Sequence, residues 1–145
     1  MKKILLIFIL LLEVICLKSQ NVSREDSAYI YRHFLFYNTE HRTFEDIDEP
    51  FIEEFYKKYP EKAKIYYFKA AFLNSIPVEQ RVIMISYLDS LKQEQAHKWI
   101  LKHLRTRYDT IKYFKVLASE YGFPYSKLGI SEKEVKMYCP DCKYR

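Results

Sequence analysis

Residues 61–74 read EKAKIYYFKAAFLN. Ala63, Tyr66, Tyr67, Ala70, Phe72 and Leu73 recur there at steps of three and four, the period of a helix. Apolar groups fall on most sides of that helix, which predicts a central position. Pro60 ends the preceding segment or begins this one, because proline holds the residue before it out of helical geometry. Working outward, Asp48-Glu49-Pro50 opens an earlier helix, since proline suits a first turn. Phe51, Ile52, Phe55, Tyr56 and Tyr59 give that helix an apolar stripe. Ser75-Ile76-Pro77 breaks the chain before a helix over 78–91, with Val82, Ile85, Leu88 and Leu91 on one stripe. Residues 93–108 carry Ala96, Trp99, Ile100, His103 and Leu104 at helical spacing. Asp109 can cap a helix bearing Ile111, Phe114, Leu117, Ala118 and Tyr121, and Gly122 is placed to stop it at C′. Ser131 and Glu134 form a capping box for a last helix over 132–138. At the other end, Ser23 opens a helix running to about Tyr37, followed by a polar loop over 38–47.

Composition agrees with this reading. The chain of 145 residues is 49% hydrophobic, which sets it apart from disordered chains, and holds only 2 glycines. Gly122 and Gly129 cannot supply the loops that cradle phosphates in P-loop or dinucleotide folds. They also argue against a hairpin-rich β sandwich or barrel. The expected class is all-α: a single compact domain of six to seven short helices. Short loops make antiparallel neighbours of them, as a bundle or as stacked helical hairpins. The stretch Phe55-Tyr56-Lys57-Lys58-Tyr59-Pro60-Glu61, with Ile65 and Phe68-Lys69-Ala70, is similar to helical-hairpin repeats of the tetratricopeptide kind. The similarity spans one hairpin. The Trp-Leu-Gly-Tyr signature and a second copy at the 34-residue period are both missing, so a bundle fits equally well.

The N-terminus reads as an export signal over residues 1–19. Lys2 and Lys3 precede nine unbroken apolar residues, 4–12. That run is too short to span a bilayer and fits the apolar core of a secretory signal. Lys18-Ser19-Gln20 resembles the small-residue–Gln ending of Gram-negative bacterial export signals, which implies cleavage after Ser19. The alternatives are an uncleaved anchor and acylation of Cys16, although Glu13-Val14-Ile15-Cys16 departs from acylation signals at two positions. Cleavage removes Lys2, Lys3, Lys18 and Glu13, lowering the net charge from +5 to +3. The working chain is then a helical domain over 20–138 and a short Cys-x-x-Cys tail over 139–145. No transmembrane segment remains.

The sharpest chemical feature is Cys139-Pro140-Asp141-Cys142. Two thiols at this spacing can close a small disulfide in an oxidising compartment, contribute to a metal site, or exchange electrons. Redox work calls for a helix N-terminus after the first cysteine to lower its pKa, and only three residues follow Cys142. A zinc site needs four ligands, and His97 and His103 lie six apart, outside the usual spacing. The disulfide asks least of the sequence. His103 falls on an apolar stripe and reads as a core histidine. The acids Glu40, Glu45, Asp46, Asp48, Glu49, Glu53 and Glu54 lack a calcium-loop pattern and read as helix starts plus a solvated face.

Lys98, Lys102 and Arg105 recur at i, i+4 and i+7, joined by Arg107, Lys112 and Lys115. This predicts a basic face across two helices. Export makes nucleic acid an unexpected partner, leaving a protein partner or an anionic surface. A solvated face is the plainer reading, since Glu94 and Lys98 form an ordinary i, i+4 pair. Subtracting Phe8 leaves 24 aromatic residues, 14 of them Tyr. They serve the core, or a partner interface if they reach the surface; Tyr29, Tyr31 and Tyr37 are candidates for that. Serine-hydrolase and zinc-protease motifs are missing, and no cofactor is expected. These features describe a structural or interaction module, with a Cys139/Cys142 redox or metal protein as the rival.

Overall fold

The computed structural model describes residues 23–25 and 49–145. The export signal, Cys16, all but residues 23–25 of the helix expected from Ser23 to about Tyr37, the candidate tyrosines Tyr29, Tyr31 and Tyr37, and most of the acidic stretch lie outside the described residues.

Among the described residues, six α-helices and one 3-10 turn lie after residue 48, Arg24 and Glu25 are also helical, and no strand occurs. Helix α1 is Glu49–Lys58, with Glu49 in its first turn and Lys57 and Lys58 in its last, each matched to the helix dipole. Tyr59 leaves helical geometry at φ −136°, and Pro60 opens α2, Pro60–Ala71. Ala63, Tyr67, Ala70 and Ala71 are the buried stripe of α2. The three alanines let neighbouring helices come close, and α2 packs on α1 and on both of the next two helices. The expected central position holds, although Ile65 is exposed.

Helix α3 is Val78–Ile85 and α4 is Ser90–His103. The sequence suggested one helix to 91 and a second from 93. Asp89 decides otherwise, because its side chain accepts a 3.0 Å hydrogen bond from the Lys92 amide and caps α4. Leu91 therefore leaves the stripe and is exposed. Gln93 Nε2 donates to the Leu88 and Ser86 carbonyls, satisfying the end of α3 from the next helix.

Helix α5 is Arg107–Leu117. Its cap is Thr106 rather than Asp109: Thr106 Oγ1 accepts from the Asp109 amide at 3.0 Å. The helix stops five residues before Gly122, and Gly122 is not left-handed. Gly122 matters for space instead, since a Cβ there would collide with the Leu117 carbonyl. Left-handed backbone falls at Gly129, φ 71°, where it closes the 3-10 turn Tyr125–Leu128. Helix α6, Glu132–Tyr138, begins with the expected capping box.

The core is rich in tyrosine, and its tyrosine hydroxyls have partners. Tyr67 Oη donates to the Ile52 carbonyl at 2.6 Å, tying α2 to α1. Tyr113 Oη lies 3.0 Å from His97 Nδ1, tying α5 to α4. Tyr125 Oη donates to the Phe114 carbonyl. All three side chains are fully buried, so these aromatics serve the core. Burial pushes the phenol of Tyr125 up to about 12.

Residues 139–145 do not hang free. Tyr144 stacks on Tyr125 at 5.8 Å, and its hydroxyl donates to the Ile130 carbonyl at 2.7 Å. The Arg145 guanidinium donates to the Ala118 and Ser119 carbonyls at the end of α5.

Candidate functional site

The basic residues of α4 and α5 part company in the folded chain. Lys98 is exposed and pairs along its own helix with Glu94. Lys112 turns the other way, reaching Glu79 on α3 at 2.6 Å. The ammonium of Lys112 is held above its ordinary pKa, first by that hydrogen bond to Glu79. Two of the four residues singled out by spacing are thus neutralised by local carboxylates. Lys102 and Arg105 are exposed, and neither has an ion pair among the described residues.

Arg105 has company that the sequence did not suggest. Leu104 turns extended at φ −66°, ψ 120°, and carries the chain from α4 across the start of α5. This opens a pocket of about 210 Å³ against the turn that precedes α3. Arg81, His103, Arg105 and Asp109 line it, with Val78 and Leu104 among its apolar walls.

Arg81 is the unusual member. It lies on α3 between Val78 and Val82, facing the core, and is only 6% exposed. One hydrogen bond, from Nη1 to the Ala71 carbonyl at 3.3 Å, holds it, and Nε has no partner. No carboxylate stands within ion-pair distance of it among the described residues. Burial pulls its pKa below the ordinary value, and the more distant Asp109 and Glu79 work against that. The sequence did contain a signal: Val78, Arg81, Val82 and Ile85 fall at i, i+3, i+4 and i+7, which puts an arginine on a core face.

The core position read for His103 belongs to His97 instead. His103 is exposed, stacks on Trp99 at 3.8 Å, and directs Nδ1 to the Trp99 carbonyl at 2.7 Å. His97 is the core histidine, fully buried between Tyr113 and Phe123, with Nε2 unpartnered. Burial lowers its pKa to about 4.

Cys139 and Cys142 lie at disulfide distance, their Cα atoms 5.4 Å apart, and both are buried. Cys139 caps the C-terminus of α6, the negative end of the helix dipole. That end disfavours a thiolate, the reverse of what a redox-active cysteine needs. Lys136 Nζ donates to the Pro140 and Cys142 carbonyls, closing the loop around the pair. Among the described residues, no group of three or more His, Cys, Asp or Glu is placed to hold a metal ion. No described helix is long and apolar enough to cross a membrane.

No protein-family model, curated protein or solved structure matches this chain.

Proposed function

We propose that this chain is an exported interaction module that engages an acidic protein partner through the end of α4. The observation that carries the reading is the exposure of Lys102 and Arg105, neither of which has an ion pair among the described residues. Exposed cations without a carboxylate partner steer association with anionic surfaces. Export is supported by Lys2-Lys3 ahead of the apolar run 4–12, and by a cysteine pair at disulfide distance, which suits an oxidising compartment. In this proposal residues 20–138 are one domain of short antiparallel helices, and residues 139–145 pin its far end.

The test expresses the full chain with its own N-terminus and recovers it from outside the cytoplasm. An intact mass beginning at Gln20 and lacking two hydrogens is the expected result. Cross-linked partners are then compared between the wild type and the Lys102→Glu/Arg105→Glu variant. Loss of an acidic partner from the variant supports the proposal. A mass beginning at Met1, or a partner retained by the variant, overturns it.

A further inference from the structure

The pocket between α3, α4 and α5 contains an electrostatic imbalance. Two guanidinium groups, Arg81 and Arg105, line it against one carboxylate, Asp109. Asp109 is partly engaged already, because its Oδ2 accepts from Thr106 Oγ1 at 2.7 Å. His103 Nδ1 donates to the Trp99 carbonyl at 2.7 Å, which leaves only its other ring nitrogen to a ligand. The lining therefore carries a net charge of about +1, from two cations and one anion.

Arg81 makes this more than a surface accident. A side chain 94% removed from solvent is costly to leave charged and under-bonded. A guanidinium offers five donors, and a single hydrogen bond at 3.3 Å to a carbonyl uses one of them. An incoming oxyanion would supply both the countercharge and the missing acceptors. The start of α3 lies in the same wall. Pro77 gives it no side-chain cap, although Glu79 already stands in its first turn.

The geometry points to a binding site for a small organic carboxylate in this pocket, its carboxylate between Arg81 and Arg105 and its carbon body against Val78 and Leu104. A net +1 matches a monoanion better than a phosphate, which carries closer to two charges at neutral pH. The volume of about 210 Å³ suits a ligand of a few heavy atoms, smaller than a nucleotide. This inference does not depend on export or on the acidic protein partner.

The full chain is titrated with sodium butyrate at constant ionic strength, set by sodium chloride, while the arginine Nε–H resonances are followed by NMR. Saturable movement of the Arg81 resonance is expected. Arg105→Ala, an exposed position that leaves the core intact, is expected to weaken butyrate binding at least tenfold. Arg81→Met is expected to abolish it. If Arg81→Met does not fold, the Arg105→Ala comparison still decides. Movement that does not saturate, or equal affinity in Arg105→Ala, overturns the site. Tighter binding of inorganic phosphate than of butyrate overturns the assignment to a carboxylate.

Discussion

His97 shows how burial sets chemistry at a single residue. Its ring is closed off by Tyr113 and Phe123, and only Nδ1 has a partner. Whichever nitrogen carries the proton, one polar atom stays unsatisfied, and adding a second proton would bury a charge. The folded chain therefore prefers the neutral ring, with a pKa of about 4 against 6.5 in the unfolded chain. Protonation favours the unfolded state. Stability should be full above pH 6.5, fall as the pH drops toward 4, and level off below that. A shift of this size corresponds to a loss of about 3 kcal/mol. Urea unfolding between pH 7 and pH 5 reads this slope before most carboxylates titrate. His97→Gln, which keeps a hydrogen-bonding group but cannot titrate, should flatten it. An equally steep slope in the variant would assign the acid limb elsewhere. The spacing of residues 93–108 put His103 on the apolar stripe, because it placed the helix too far along the chain. With Asp89 as cap, the buried set is Ala96, His97 and Ile100.

At the scale of elements, the helices were legible and their ends were not. Apolar periodicity marks where a helix packs, while a cap hydrogen bond marks where it starts. Ser131 and Glu134 announce α6 because both halves of the box are in the sequence. For α5 the sequence reading takes Asp109 as the cap and passes over Thr106, although both residue types cap well. The structure selects Thr106 and makes Asp109 its reciprocal partner. Thr106→Ala should then cost about 1 kcal/mol, measured as a shift in the urea midpoint with an unchanged slope. A loss under about 0.3 kcal/mol would return the cap to Asp109, given the usual range for lost N-caps. Gly122 has the opposite lesson. It looked like a helix stop and instead keeps the chain clear of the Leu117 carbonyl, a close approach that no local pattern records.

Across the whole molecule, residues 139–145 act as a clasp. Tyr144 hydrogen-bonds to Ile130, ahead of the α6 cap, Arg145 to the end of α5, and Lys136 gathers the carbonyls of Pro140 and Cys142. A disulfide between Cys139 and Cys142 closes only four residues, so it restricts the unfolded chain little. Its loss should cost about 2 kcal/mol in the loop-entropy account. The Cys139→Ser/Cys142→Ser double variant is therefore expected to keep its helical circular dichroism and cooperative unfolding. If it also keeps its cellular role, the redox and metal reading of the pair is removed. Collapse of the fold would show that the clasp depends on the bond.

The sequence by itself determined the helical class that the described residues show. Apolar residues at a period near 3.6, proline and polar caps as punctuation, and two late glycines are all local quantities, set by backbone geometry within a few residues. It also made the cysteine pair visible, because a spacing of three is short enough to close locally. Only the tertiary structure decided that Lys112 pairs with Glu79, which histidine is buried, and that Arg81 and Arg105 share a pocket. Those facts depend on distances between helices far apart in the chain. Arg81 and Arg105 are separated by a turn, a whole helix and part of another. Packing around α2, rather than any motif, brings them together.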